Sequence, residues 1–397
     1  MQRTISFFLA LSLILCLFAG CGPQESTADP EASATTEATP PVTTTAPTTE
    51  PTTESTAEPT TESAIEPALV DGQSMKIGVI CYGLYDDENG RFFQPVTMFA
   101  EERGISYEYY KAAEETDEAA LVSIVEAVED GVNVVICRGS MFECAVYEAQ
   151  KLYPNVRFLL FNGEAHSADL SSYETTSNTR CILFREEQMG YLAGYAAVME
   201  GYRTIGVVSG LELPPLVYVY NGFMQGATDA AVKLGVVDEI LIKHHKLSCG
   251  VFHDDDYRVL DRWIDGEVDM IYAIDRLSED ICVRSDLKGV PTISVITNMA
   301  YAAENVIGAI VYDYTSALEL ALTILVNGNG EWPEGNSTMI LGAEENGIRL
   351  LPDGEGWKFR NFTEEDYKAL YAEIAEGKII IPRTFEIGEI PFTVEYM

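Results

Sequence analysis

Residues 184–227 read FREEQMGYLAGYAAVMEGYRTIGVVSGLELPPLVYVYNGFMQGA. Gly190, Gly194 and the alanines at 193, 196 and 197 recur at helical spacing and let one face of a helix pack closely. The β-branched run Thr204–Val208 follows and reads as a strand. Ser209-Gly210 and Pro214-Pro215 then open a second helix, with Gly222 and Gly226 at i, i+4. Helix, strand, Gly/Pro turn and helix make half of a parallel α/β sheet.

The same alternation extends both ways from this stretch. Towards the N-terminus, apolar runs at 76–81, 105–110, 133–137 and 157–161 alternate with helical segments near 93–103, 118–130 and 141–152. A polar stretch from Asn162-Gly163 to Arg180 reads as a crossing between two lobes. Towards the C-terminus, strands are expected at 240–243, 270–274, 292–296 and 306–312, and helices at 257–265, 278–287 and 315–327. Short elements at 338–341 and 347–351 and a helix at 364–376 close the chain. Such a series predicts parallel sheets covered on both faces, with ligands meeting the carboxyl ends of the strands.

The 397 residues suffice for two lobes and a full core, and a net charge of −38 argues against a nucleic-acid polymer as partner. Beyond the first 21 residues six cysteines remain, at 81, 137, 144, 181, 249 and 282. They sit in or beside apolar runs with no CxxC spacing, and are expected as buried free thiols.

The first 20 residues carry Arg3 and an apolar run, and read as a secretory signal. The ending Phe18-Ala19-Gly20-Cys21 resembles a bacterial lipobox, with Cys21 as the lipidated residue. Residues 21–72 are dominated by Thr, Pro, Glu, Ala and Ser, with EPTTE at 50–54 and 58–62. Such a segment buries too little apolar area to offset its ordering entropy, and is expected to be a disordered tether. The protein is thus expected to be exported and lipid-anchored at the outer face of the cytoplasmic membrane.

Catalysis has no positive signal: GxSxG, HExxH, P-loop and GxGxxG patterns are absent, so the reading is not an enzyme, with no cofactor. His244, His245, Cys249 and His253 beside Asp254–Asp256 invite a metal reading, but their spacing matches no regular site, and no metal is expected. A binding function needs aromatic faces and a few fixed polar groups near strand ends. Asp275, at the carboxyl end of the strand at 270–274, offers one such polar group.

The opening stretch, taken with NVVICRGSMFECAVYEAQKLYPNVRFLLF at 133–161, LGAEENGIRL at 341–350 and GKIIIP at 377–382, resembles the basic membrane protein family of substrate-binding lipoproteins, which includes purine-nucleoside receptors. The resemblance implies an α/β periplasmic-binding-protein type I fold of two Rossmann-like lobes with parallel sheets and hinge crossings. The expected lobes are 73–163 with 312–335, and 164–311 with 336–397. The resemblance also implies ligand-binding roles for the loop after the first strand, at Tyr82, Asp86 and Asp87, and near Gly139, Asn162, Asn298 and Tyr312. It implies a stacking role for Phe92 or Phe93 and a second aromatic contact at Tyr218 or Tyr220, which flank Val219. It places family aspartates at Asn162, Ile296 and Asn298, a family aromatic at Val219 and a family lysine at Tyr312. Lost carboxylates and a lost lysine point to a changed ligand. The expected function is a monomeric solute-binding protein that delivers a small polar, nucleoside-like ligand to an ABC permease. A surface ligand sensor on the same fold is the alternative.

Overall fold

Apolar runs of five to seven residues become strands, and the amphipathic segments between them become helices. The computed structural model describes residues 69–70, 73–83, 87–274, 277–333, 336–352 and 354–397, all within the compact unit Ser63–Met397. The signal, Cys21 and most of the tether therefore lie outside the described residues, although β1 (Leu69–Val70) and β2 (Gln73–Ser74) at its end pair antiparallel.

The chain then runs β3 (Lys76–Cys81), α1 (Asp87–Glu102), β4 (Ser106–Lys111), α2 (Asp117–Glu129), β5 (Val134–Arg138), α3 (Glu143–Leu152), β6 (Arg157–Phe161) and β7 (Thr179–Phe184). Thr116 caps α2 by accepting the Ala119 N–H at 3.2 Å, and Asp117 and Glu118 favour that positive helix end. The second series is α4 (Glu186–Glu200), β8 (Thr204–Ser209), α5 (Pro214–Leu234), β9 (Leu241–Lys246), α6 (Asp254–Arg262), β10 (Met270–Ile274), α7 (Leu277–Asp286), β11 (Thr292–Val295) and β12 (Val306–Tyr312). Two prolines open α5, and α4 and α5 end on Gly201 and Gly235 in left-handed conformation. The remaining elements are α8 (Tyr314–Asn327), β13 (Thr338–Leu341), β14 (Ile348–Leu350), α9 (Glu364–Ala375) and β15 (Thr393–Tyr396).

Two sheets result. The first has the order β13-β7-β6-β5-β3-β4 and is wholly parallel. The second has the order β14-β12-β11-β10-β8-β9-β15, in which only the β12–β14 pair is antiparallel. The fold is therefore α/β, with two lobes built on parallel sheets. The chain passes between them at Phe184–Glu186, at Tyr312–Tyr314 and between Leu341 and Ile348.

The pairing corrects the expected boundaries. Residues 163–178 do not cross between lobes: β7, apolar at four of its six positions and largely buried, pairs with β6 in the first sheet. The crossing comes at the end of β7. Thr338–Leu341 likewise pairs with β7 rather than joining the second sheet.

The packing of α4 on α5 explains the small residues of the opening stretch. A Cβ on Gly190 or Gly194 would fall 1.9 or 2.0 Å from the carbonyl oxygens of Val219 and Phe223, and one on Gly222 or Gly226 would fall 2.0 or 2.1 Å from those of Glu187 and Tyr191. Glycine costs a helix roughly 1 kcal/mol against alanine, and this close backbone contact offsets it. The six cysteines past residue 80 are free thiols, and Cys81, Cys137, Cys181 and Cys282 are buried.

Candidate functional site

Each sheet puts its first strand inside, with the second strand on one flank and the third on the other: β4-β3-β5 and β9-β8-β10. At such a switch in strand order the neighbouring connections leave in opposite directions and open a crevice at the carboxyl ends. In the first lobe these ends are Cys81 and Arg138-Gly139.

A cleft of about 1350 Å³ opens there and runs between the lobes. From the first lobe it is lined by Arg138, Gly139, Ser140, Glu143, Asn162 and His166. Leu213–Leu216, Tyr218 and Thr297-Asn298 line it from the second lobe, and Glu186, Tyr312–Tyr314 and Arg349 line it at the crossings.

Backbone geometry shapes this lining. Gly139 has φ 100, a conformation suited to glycine, and its N–H donates to the Phe161 carbonyl at 2.7 Å. Asn162 stands at φ 54, in the left-handed region that Asn tolerates better than most residues. Its Oδ1 accepts from the Tyr314 hydroxyl at 2.9 Å. Ile296 stands at φ 74, which a β-branched side chain disfavours, immediately before the cleft residues Thr297 and Asn298. Asn298 Oδ1 accepts from the Ala300 N–H at 2.9 Å.

The crossings form one aromatic and ionic knot. The Tyr312 ring lies 4.5 Å from Phe184, and Tyr314 packs edge-on against Phe184 at 5.7 Å and Phe92 at 5.2 Å. Arg383 donates to the Phe184 carbonyl at 2.6 Å, to Glu186 at 2.5 Å and to Glu187 at 3.0 Å, and its guanidinium covers the Tyr218 ring at 4.4 Å. Both carboxylates are buried, and burial raises the Glu186 carboxyl above the ordinary range against the pull of Arg383. Asp313 caps α8 through the Ser316 N–H at 3.0 Å and pairs with Arg349 at 3.1 Å.

In the wall of the first lobe, Glu143 accepts the Glu164 N–H at 2.8 Å and lies 3.1 Å from His166 Nε2. Burial raises the Glu143 carboxyl.

Of the residues expected at the site, Gly139, Asn162, Tyr218, Asn298 and Tyr312 line the cleft together. Phe92 and Phe93 do not. They lie on the core face of α1, 1% and 8% exposed, with Phe92 against Phe161 and Tyr314 and Phe93 against Tyr109. The cleft takes Gln94, Pro95 and Met98 from that helix instead.

Tyr82 stacks on Phe142 at 4.6 Å and spends its hydroxyl on the carbonyls of Thr116 and Met141, and burial pushes it up to about 12. Tyr220 stacks on His244 at 4.7 Å, in a separate crevice. Val219, expected where the family carries an aromatic, is buried between α4 and α5. Asp86 and Asp275 lie outside the described residues, and only the backbone of Asp87 is described.

His244 and His245 belong to β9 rather than to a loop after it. His245 Nε2 pairs with Asp256 Oδ1 at 2.7 Å, while Cys249 Sγ lies 3.9 Å from His253. Among the described residues no group of three such side chains is placed to hold a metal.

Sequence reasoning missed Arg138, Glu143, His166, Glu186, Tyr314 and Arg383. Arg383 and Glu186 are brought together only by the fold, from 197 positions apart. Tyr314 carried a signal in the Tyr-Asp-Tyr run at the second crossing.

The family model described as "ABC transporter substrate-binding protein PnrA-like" matches residues 76–390. The chain belongs to this family. An uncharacterized lipoprotein of Pyrococcus furiosus is 25% identical over 311 residues, covering 72% of this chain and 74% of that one. An uncharacterized lipoprotein of Pyrococcus horikoshii is 26% identical over 188 residues, and the match spans only 42% of its length.

Among solved structures, an ABC transporter solute-binding protein from Conexibacter woesei superposes with a TM-score of 0.61 at 20% identity, over 79% of this chain and 100% of that one. Solute-binding proteins of the same transporter class from Aeropyrum pernix give 0.57 at 17% identity, over 78% and 94%. The fold is the periplasmic-binding-protein type I fold. Among the described residues no helix is long and apolar enough to cross a membrane.

Proposed function

We propose that the protein captures a small polar, nucleoside-sized ligand in the interlobe cleft and delivers it to an ABC permease, working as a monomer held by a lipid on Cys21 at the outer face of the cytoplasmic membrane. One observation carries this reading. In a chain of the substrate-binding family, the cleft draws its walls from both lobes and from the crossings between them. A ligand that touches Arg138 and Asn162 on one side and Tyr218 and Asn298 on the other favours approach of the lobes by differential contact.

The cleft exceeds the roughly 300–1,000 Å³ that encloses a drug-sized ligand, so tight binding requires closure. Tyr218, Tyr312 and Trp357 supply aromatic faces for a planar group, a role that the buried Phe92 and Phe93 rings leave to them.

The test is calorimetric titration of the full chain, stripped of co-purified ligand, with guanosine, adenosine, inosine and uridine. Micromolar or tighter binding, weakened by Tyr218→Ala and accompanied by a smaller radius of gyration, is the expected result. Silence across all four removes the nucleoside reading, and native mass spectrometry of the unstripped protein then identifies the ligand. Anchoring is checked by Cys21→Ser, which releases the protein from the membrane fraction.

A further inference from the structure

The second lobe has its own crevice at its own switch in strand order. A cavity of about 310 Å³ lies where β8 and β10 end, beside the cleft and sharing Leu213 and Leu216 with it. Its walls are mostly apolar, with Val208, Val217, Ile274 and Leu277 from the lobe and Phe385 and Tyr396 from the C-terminal segment. Neither the binding role argued above nor the hinge makes use of it.

A chain of hydrogen bonds enters these walls. Ser209 Oγ lies 2.8 Å from His244 Nε2, and the Tyr220 hydroxyl lies 3.3 Å from His244 Nδ1. The Tyr220 ring stacks on the imidazole at 4.7 Å, and the Tyr396 ring sits 5.3 Å from His244.

We propose that this crevice is a second binding site, separate from the cleft, for a small uncharged molecule that is largely apolar and carries one hydroxyl or carbonyl. The chain Ser209–His244–Tyr220 is satisfied in either direction. With Nε2–H donating to Ser209 and Nδ1 accepting from Tyr220, the Ser209 hydroxyl is left to donate to a carbonyl. With Ser209 donating to Nε2 and Nδ1–H donating to Tyr220, the Ser209 oxygen is left to accept from a hydroxyl.

Burial, with Lys246 and His245 nearby, lowers His244 to about 4, so the imidazole is neutral at physiological pH and offers an anion no counter-charge. Lys246 at the rim is paired with Glu212. An ionised ligand would therefore lose its hydration without compensation. So weak a base is also poorly matched to activating Ser209 at neutral pH, which favours binding over acyl transfer.

The test is ¹⁹F NMR on the full chain with 4-fluorophenol, fluorobenzene and 4-fluorobenzoate as probes. Saturable binding of 4-fluorophenol is expected, about tenfold weaker for fluorobenzene as one net hydrogen bond implies, and none for 4-fluorobenzoate. Ser209→Ala should bring 4-fluorophenol down to the fluorobenzene affinity. Val217→Trp should abolish both by filling the cavity, and the cleft variant Asn162→Ala should change neither. Absence of saturable binding, equal affinity for all three probes, or loss through Asn162→Ala overturns the proposal.

Discussion

A Cβ on Gly194 would lie 2.0 Å from the carbonyl oxygen of Phe223, so these two helices meet backbone to backbone. Carbon and oxygen cannot approach so closely, and the obstacle is main chain that has no rotamer to move. Gly194→Ala is therefore expected to cost about 2–4 kcal/mol, by forcing α4 and α5 apart. The readout is the urea midpoint. Gly388→Ala, at a position with open space around it, should leave that midpoint unchanged.

Arg383 holds two buried carboxylates together at the first crossing. Arg383→Met leaves both without their shared cation, and breaking such a buried pair costs about 3–5 kcal/mol. The sign of its pH dependence follows from Glu186, whose folded pKa is already raised. A carboxyl raised on folding contributes stability below its unfolded pKa and loses it as pH rises through the folded value. Removing Arg383 raises Glu186 further. The variant's deficit is thus greatest at pH 7 and shrinks towards pH 5, which urea midpoints of both proteins at the two pH values will check. A deficit independent of pH would contradict this account.

Glu200, at the end of α4, gathers the C-terminal segment. Its carboxylate accepts backbone N–H groups from Arg360 at 2.9 Å, Asn361 at 2.8 Å and Phe362 at 3.0 Å, and its own carbonyl accepts from Asn361 Nδ2 at 2.6 Å. Hydrogen bonds to a charged group are the stronger kind, and Glu200→Gln gives up that charge. It is expected to lose about 1.5–3 kcal/mol and to open residues 360–362 to amide hydrogen exchange before the rest of the lobe.

The fold was legible because its signals are local. Helix-spaced glycines, β-branched runs and the Pro214-Pro215 start each specify conformation within a few residues, and the α4–β8–α5 unit follows from them. The lobe boundary was less legible because it depends on pairing. Nothing within TRCILF distinguishes a strand added beside β6 from the first strand of a new sheet. Phe92 and Phe93 show the same limit at the site: an aromatic pair at a helix start reads alike whether it faces a ligand or Phe161 and Tyr109. Arg383 and Glu186 meet only once both crossings exist, so no spacing in the chain announces them.

Asn162 links the hinge to the cleft. Its amide N–H of the main chain donates to Ile182 at 2.8 Å, and its side-chain oxygen is fixed by the Tyr314 hydroxyl, which Arg138 also reaches at 3.5 Å. With Oδ1 so held, the side-chain nitrogen is the group presented to a ligand as a donor. Tyr314→Phe removes the constraint that sets this orientation. It is expected to weaken cleft binding about fivefold to tenfold, the ~1 kcal/mol of one net hydrogen bond, with little change in stability. Asn162→Asp keeps the bond from Tyr314 and turns the cleft-facing donor into an acceptor for a ribose hydroxyl. Inosine binding, measured by calorimetry on the full chain, should strengthen in Asn162→Asp and weaken in Tyr314→Phe. If both changes left it untouched, the ligand would not reach the end of β6, and the contacts would have to come from the Tyr218 and Asn298 side alone.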